Sequence, residues 1–143
     1  VQIHRWKPPA YTLEIFKNKT TPVIMTAGGF KYNQPPKQTP LNEWVHLAGT
    51  YDGKNLIAYE NGQAVETLKH EGDINAGKDV VRIGARTDNA GGKFRGVLDE
   101  VAIFGEALTE QEIQDIMNDG FEGVLAVSPK SKLATTWAYL KQN

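Results

Sequence analysis

Apolar and polar residues alternate with a period of two along the first two thirds of the chain, as is typical of β-strands. Residues 11–16 and 43–51 show this alternation most clearly. Further strands are predicted at the short apolar run 22–27 and at residues 55–60, 63–68, 80–85 and 94–104. Between two of them stands Asn61-Gly62. This dipeptide predicts a two-residue hairpin turn, because both residues tolerate a positive φ. Residues 33–40 contain three prolines and predict a surface loop.

The period changes after residue 105, where the sequence predicts one short helix. Thr109 and Glu112 have the spacing of a capping box at a helix N-terminus. Leu108 before the cap and Ile113 after it predict a hydrophobic staple. Gly120 predicts a left-handed C-terminal cap.

The length of 143 residues favours one main domain. We assign residues 1–122 to that domain and residues 123–143 to a C-terminal tail. The tail either forms a second helix beginning near Ser128 or leaves the domain. Because Trp137 and its neighbours are too apolar for a linker, we expect the tail to dock.

Composition and charge narrow the classes of function. Sixteen basic and seventeen acidic residues give a formal charge of −1, so the chain carries no electrostatic attraction to nucleic acid. The absence of cysteine excludes disulfides, thiolate metal sites and a cysteine nucleophile. No apolar run approaches the roughly 20 residues of a membrane span, and no signal peptide is visible. We expect a monomeric module.

Two parts of the chain resemble the laminin-G-like family. Residues 42–53 and 56–62, with the pattern Trp-Val-His-Leu-Ala followed by Tyr-Glu-Asn-Gly, are similar to its central hairpins. Residues 81–86 and 94–104, followed by the Leu-Thr-x-x-Glu-Ile helix start, are similar to its C-terminal end. The resemblance implies an all-β fold: an antiparallel, concanavalin A-like jelly-roll β-sandwich with one short helix near the C-terminus.

The N-terminal part departs from the family. Members usually begin with further strands, including a Phe-Asp-Gly-like segment that this sequence does not contain. The resemblance therefore implies either a fragment of the sandwich or an edge that residues 1–10 replace. In the first case, the sheet edge left without its strands would carry a risk of aggregation.

Glycosidases also exist on this jelly roll, so a catalytic set has to be sought directly. Retaining glycosidases need two carboxylates about 5–5.5 Å apart. Here Asp99 and Glu100 are sequence neighbours, whose side chains point to opposite faces of a strand, and no acid follows at 101–105. The histidines lack metal-ligand spacing, and His46 is expected to be a half-buried packing residue. We therefore expect a protein that is not an enzyme.

Asp99 is the candidate metal ligand. In many related jelly rolls a calcium ion sits where the C-terminal Asp-Glu-Val strand meets an N-terminal loop, and Asp99 matches the acidic residue of that strand. Calcium accepts backbone carbonyls as ligands, so one or two carboxylates suffice. The alternative is that Asp99 accepts hydrogen bonds from a neighbouring loop and holds the sandwich closed. A calcium ion here would be structural.

Arg86, Asp88 and Asn89 are the candidate ligand-binding residues. They belong to a polar, glycine-rich loop between two predicted strands, and such loops often carry function. Their side chains either hydrogen-bond sugar hydroxyls or form a solvated turn.

Three aromatic residues have two interpretations: Trp44, Tyr51 and Tyr59 either form a sugar-stacking platform or belong to the core. For Trp44 and Tyr59 we predict the core. Residues 18–20, Asn-Lys-Thr, fit the N-glycosylation pattern, which has meaning in a eukaryotic secretory protein.

By resemblance, the chain is expected to be a non-catalytic binding or adhesion module in a larger extracellular or cell-surface protein, with a glycan or an extracellular protein as its ligand. The alternatives are a fragment of a secreted glycoside hydrolase or polysaccharide lyase and a purely structural spacer.

Overall fold

The computed structural model describes residues 10–75, 81–85 and 93–127, with side chains as far as residue 121. The described residues form six strands and one helix: β1 (Tyr11–Phe16), β2 (Lys19–Thr26), β3 (Gly29–Tyr32), β4 (Leu47–Tyr51), β5 (Asn55–Glu60), β6 (Gln63–Lys69) and α1 (Glu110–Val127). Strands β1 to β3 form one antiparallel sheet in chain order, and β4 to β6 form a second. The fold is mostly β with one short helix, in agreement with the sequence-based expectation.

Two-residue turns close three of the four hairpins that the described strands form. Asn61 and Gly62 both have positive φ, 49° and 75°, which confirms the predicted turn. Lys17 and Asn18 adopt the same left-handed conformation, with φ of 53° and 58°, between β1 and β2. The sequence did not predict this second turn, because lysine is not a residue that favours positive φ.

The two sheets pack face to face through small and polar side chains. A Cβ built on Gly49 in β4 would lie 2.7 Å from the Cβ of Pro22 in β2, so the two strands approach very closely. The register pairs Leu13 with Pro22, which places both on the face of the first sheet that meets the second. Asn33, just after β3, donates from its side-chain amide to the carbonyls of Leu56 and Glu66 in the second sheet. Hydrogen bonds therefore join the two layers.

Helix α1 covers the other face of the second sheet. Tyr59 of β5 forms a buried cluster with Leu108, Ile113 and Ile116, and Phe121 packs against it. The predicted staple is confirmed, since Leu108 and Ile113 are both in this cluster. The capping box is confirmed as well, because the Thr109 hydroxyl accepts the Glu112 amide at 3.2 Å and the Thr109 amide donates to the Glu112 carboxylate at 2.8 Å.

Gly120 marks a kink in α1. Its φ of 70° and ψ of −175° are far from helical values and accessible essentially only to glycine. The positive φ expected of the predicted cap is present, but the ψ is not that of the left-handed conformation, so Gly120 is a break between two helical stretches rather than a left-handed C-terminal cap. The backbone becomes helical again after Gly120 and continues to Val127, five residues into the segment that we assigned to the tail.

Two predicted strands are not strands in the structure. Residues 81–85 and 93–104 have no regular secondary structure, although Phe94 donates its amide to the Gly84 carbonyl at 2.9 Å. Gly84 has a φ of 74° and Glu100 a φ of 48°, and each interrupts the extended conformation that a strand requires. The strand predicted for residues 43–51 begins only at Leu47.

Candidate ligand-binding face

The outward side of the first sheet carries a pair of exposed aromatic rings. Phe30 and Tyr32 alternate with Lys31 in β3 and therefore share one face. Their exposed fractions are 40% and 51%, and their ring centroids lie 5.6 Å apart with 27° between the planes. The register pairs these rings with Met25 and Val23 of β2, which are on the face turned away from the second sheet. We call this pair and its surroundings the aromatic face.

A row of polar side chains lies beside the aromatic pair on the same side of the sheet. Glu14 of β1 is paired with Thr21 of β2. The Thr21 hydroxyl donates to the Lys19 carbonyl at 2.9 Å. The side-chain amide of Gln34, the second residue after β3, donates to the Phe16 carbonyl at 3.1 Å. The aromatic face thus combines exposed ring surface with the Glu14 carboxylate, whereas Thr21 is buried and the Gln34 amide is bonded to the backbone.

This combination suits a ligand that is apolar on one side and rich in hydroxyls at its edge. Binding sites consist mostly of apolar and aromatic surface with a few polar groups that fix the orientation of the ligand. Strands also hold such groups more rigidly than loops do. A sugar ring has this character, because C–H groups cover its faces and hydroxyls project from its rim.

The three aromatics considered as a platform do not come together. Tyr59 is buried in the core, as predicted. Trp44 is 71% exposed, so the prediction that it belongs to the core is wrong. The physical reason is that β4 begins three residues later, so Trp44 lies in the preceding loop and is paired with no strand in the described part of the chain. Tyr51 is half-buried, and its hydroxyl donates to the carbonyls of His70 and Gly72.

The other predicted site residues remain predictions. Arg86, Asp88 and Asn89 lie outside the described residues. Asp99 is exposed, and its Oδ1 accepts the backbone amide of Glu100 at 2.9 Å. Within the described ranges, no three His, Asp or Glu side chains are grouped so that they could hold a metal ion. A calcium site at Asp99 is therefore neither confirmed nor contradicted.

His46 is half-buried, as the sequence predicted. Its Nδ1 is buried and has no hydrogen-bond partner among the described residues. Burial lowers the pKa of His46 from its ordinary 6.5, and the nearby charge of Glu100 acts in the opposite direction. This residue is a packing group whose neutral form is favoured in the folded protein.

Sequence reasoning missed a polar cluster between the two sheets. The hydroxyls of Thr20 and Thr39 both donate to Oε1 of Glu60, at 2.5 and 2.6 Å. The Thr20 amide also donates to the Thr39 hydroxyl at 2.9 Å. Both threonines are buried, so this cluster anchors the proline-rich loop to the end of β5. No local pattern indicates it, because its members are 19 to 40 residues apart in sequence.

The aromatic face was also missed, although a signal for it exists. Gly28-Gly29 followed by Phe-Lys-Tyr is a turn followed by strict alternation. The strand has only four residues, too few for the periodicity to stand out.

The chain is similar to known proteins in three respects: a family model, a protein sequence and a solved structure. The family model described as the concanavalin A-like lectin/glucanases superfamily matches residues 2–114. Pappalysin-1 of Mus musculus is 29% identical over 105 residues, which is 70% of this chain and 6% of that protein. The crystal structure of an S-layer domain-containing protein from Clostridium thermocellum ATCC 27405 has a TM-score of 0.46 and 18% identity, over 82% of this chain and 67% of that one. The chain thus spans only a small part of the pappalysin that it matches.

One further observation concerns membranes. Within the described ranges, no helix has the length and apolar character needed to cross a bilayer.

Proposed function

The chain belongs to the concanavalin A-like lectin/glucanase superfamily, and from this premise we propose that it is a non-catalytic carbohydrate-binding module of a larger, exported protein. The ligand is a glycan, bound by stacking and by hydrogen bonds. The proposal concerns the domain alone, since the matched relative is far longer than this chain.

The observation that carries the proposal is the exposed ring pair of Phe30 and Tyr32. Covering a large aromatic side chain removes much apolar surface from water, which is favourable. Two adjacent, substantially exposed rings therefore favour a ligand that covers them. Glu14 shares this side of the sheet by register, and its carboxylate supplies a polar group for a hydroxylated ligand.

The loop residues identified from the sequence extend this proposal. Arg86, Asp88 and Asn89 offer further hydrogen-bonding groups to the same class of ligand. Asp99 is the proposed ligand of a structural calcium ion, which would stabilise the fold without taking part in a reaction. We propose no catalytic role for Asp99 and Glu100, because their positions do not supply the opposed pair of carboxylates that glycosidases use.

The test is binding of the full chain to a broad glycan array, in calcium and again in EDTA. We expect specific binding to a small set of glycans. The Phe30→Ala and Tyr32→Ala variants are expected to lose about tenfold or more in affinity, since fully burying a large apolar side chain contributes about 1.5–3 kcal/mol. Trp44→Ala is the matched control, because it removes an aromatic ring that is more exposed and lies in a different part of the structure.

Each outcome bears on a different part of the proposal. Loss of binding in Trp44→Ala but not in the Phe30 and Tyr32 variants would move the site to the loop before β4. Loss of binding in EDTA would support the calcium site at Asp99, whereas unchanged binding and melting temperature would remove it. If the folded chain bound no glycan on the array, carbohydrate recognition would be overturned, and a protein ligand or a role as a structural spacer would be favoured. Release of reducing sugar would overturn the non-catalytic assignment.

A further inference from the structure

The loop between β3 and β4 carries two strongly exposed apolar side chains. Leu41 is 64% exposed, and Trp44, at 71%, is more exposed than any other aromatic residue that the structure describes. Asn42, which lies between them, has a φ of 63°, so the chain changes direction there. Two large apolar groups therefore project into solvent from one short stretch.

Hydrogen bonds attach both ends of this stretch to the same end of the sandwich. The Thr39 amide donates to the carbonyl of Asn18, in the β1–β2 turn, at 2.8 Å. The His46 amide donates to Oδ1 of Asn61, in the β5–β6 turn, at 3.0 Å, and the Asn61 amide donates to the His46 carbonyl at 2.8 Å. Residues 40–45 thus connect the two sheets, and we call them the bridging loop.

Three lysines lie at the base of the bridging loop. Lys17 and Lys19 flank Asn18 in the β1–β2 hairpin, and Lys37 is two residues before Thr39, which is bonded to Asn18. Lys17 and Lys37 are exposed, and Lys19 is half-buried. The loop with the two apolar side chains therefore has basic residues beside it.

The wider distribution of charge favours the same end of the first sheet as a site for anions. Residues 10–40 contain four lysines and one acidic residue, whereas residues 41–75 contain two lysines and six acidic residues. Glu43 is exposed within the bridging loop, but the Glu60 carboxylate is engaged by two threonine hydroxyls. The formal charge of −1 thus hides a basic first sheet, which attracts anions locally.

We propose that this end of the sandwich docks on the surface of an anionic phospholipid bilayer, with Leu41 and Trp44 inserted at the level of the headgroups and the three lysines against the lipid phosphates. Tryptophan favours the membrane–water interface because its ring is amphipathic. Lysines close to the surface are attracted to anionic lipids. Stable attachment commonly needs two such contributions together.

A bilayer fits this surface better than a soluble polyanion does. A polyanion would pair with the lysines but would leave the leucine and indole side chains in water, at the cost that exposed apolar surface carries. A bilayer covers both kinds of group. It also requires no shaped groove, so a protruding loop is sufficient.

The first test is co-sedimentation of the full chain with vesicles of two compositions. One is phosphatidylcholine alone, and the other is phosphatidylcholine with phosphatidylserine at roughly 7:3. We expect binding to the mixed vesicles to be about tenfold stronger or more, and this difference to disappear at about 1 M salt, where charges are screened. Equal binding to both compositions, or binding to neither, would overturn the proposal.

The second test removes the apolar groups. Trp44→Ala and Leu41→Ala are each expected to weaken binding to the mixed vesicles by about tenfold, as when a large apolar side chain loses its cover. Tyr32→Ala is the control, because it removes an exposed ring on the outward side of the first sheet. If Trp44→Ala and Tyr32→Ala had the same affinity for the vesicles, insertion of the bridging loop would be overturned.

The third test removes the positive charges. The double variant Lys17→Gln/Lys37→Gln is expected to lose about tenfold or more, since each lysine near an anionic surface contributes about fivefold. Lys54→Gln/Lys69→Gln is the control, because these exposed lysines lie at the opposite end of the second sheet, beside the β4–β5 turn. Binding that depends on Lys17 and Lys37 but not on Trp44 would overturn the bilayer as the partner in favour of a soluble polyanion.

Trp44 also supplies a direct readout of insertion. An indole that moves from water into the headgroup region emits at shorter wavelength, so we expect this shift when the mixed vesicles are added. Trp44→Phe keeps the other two tryptophans of the chain and is expected to lack the shift. A shift of the same size in this variant would contradict the insertion of Trp44.

This inference does not depend on carbohydrate binding. The bridging loop lies outside the strands that carry Phe30 and Tyr32. Vesicle binding by a chain that binds no glycan would reject the proposed function alone, and glycan binding without vesicle binding would reject the membrane contact alone.

Discussion

At the scale of single residues, the junction between the two sheets depends on the carboxylate of Glu60. It accepts two hydroxyl hydrogen bonds, and one of those hydroxyls also accepts a buried backbone amide. Bonds to a charged acceptor are stronger than neutral ones, and a buried polar group left without a partner is costly. A small set of threonine hydroxyls therefore fixes the proline-rich loop.

We expect Thr39→Val to lower the free energy of unfolding by about 1–3 kcal/mol, because it removes a donor to Glu60 and the acceptor of the Thr20 amide. Urea unfolding followed by fluorescence measures this difference. Thr67→Val is the control, since Thr67 is exposed in β6 and valine favours strands. Equal effects at the two positions would show that the cluster contributes little.

His46 makes stability depend on pH. Because burial lowers its pKa in the folded state, the unfolded chain binds more protons just below pH 6.5, and the folded state loses stability as the pH falls through that range. We expect the melting temperature of the wild type to fall more between pH 7.5 and 5.5 than that of His46→Gln. Parallel pH profiles would contradict this, since the other titratable groups are the same in both proteins.

At the scale of elements, the hairpin of β5 and β6 is fastened to α1 at its turn. The Gln114 side-chain amide donates to the Gly62 carbonyl at 3.0 Å. A Cβ on Gly62 would lie 2.8 Å from Cγ of Gln114 and 3.3 Å from Cε of Met117. The turn thus sets the hairpin geometry and also forms part of the helix contact.

Substitutions at two glycines distinguish the effect of backbone strain in a hairpin turn from the effect of contact with α1. Gly53→Ala places a Cβ at a φ of 89° in open space, so we expect a loss of about 1 kcal/mol from backbone strain alone. Gly62→Ala adds the collision with α1, and we expect a loss of about 2 kcal/mol or more. Thermal unfolding of both variants measures the difference. If both variants lost the same stability, α1 would be able to move away from the added methyl group at no energetic cost.

The elements also show how far the sequence predicts this fold. The turn at Asn61-Gly62 and the cap at Thr109 were predictable because a few neighbouring residues determine each of them. The segment 94–104 alternates like a strand, but a strand also requires a partner and extended backbone, and Glu100 departs from that conformation. The positions of Trp44, Phe30 and Tyr32 depend on where strands begin, which a short pattern does not reveal.

At the scale of the whole molecule, the spacing of the two sheets depends on Gly49. Its position opposite Pro22 allows β2 and β4 to approach more closely than two ordinary side chains would permit. Strand β2 is buried along most of its length, from Thr20 to Ile24 and again at Thr26. The sandwich is therefore tightly packed at its centre.

We expect Gly49→Ala to lower the free energy of unfolding by about 1–3 kcal/mol, because the added methyl group forces the sheets apart. Gly105→Ala is the control, since a Cβ there meets nothing within 4 Å and a change within about 0.5 kcal/mol is expected. Urea unfolding of both variants distinguishes the two. If Gly49→Ala left the free energy of unfolding unchanged, the two sheets would be able to move apart without losing stability.

The burial of Thr20 determines whether glycosylation of Asn18 can take place before or after folding. Asn18, Lys19 and Thr20 form an N-glycosylation triplet, in which Asn18 is exposed at the hairpin turn but the Thr20 hydroxyl is already bonded to Glu60. In a glycosylating secretory host, an enzyme that must engage that hydroxyl can reach it only before the sheets close. A glycan found on Asn18 would therefore have been attached to the nascent chain, and its occupancy would measure how fast this sandwich folds.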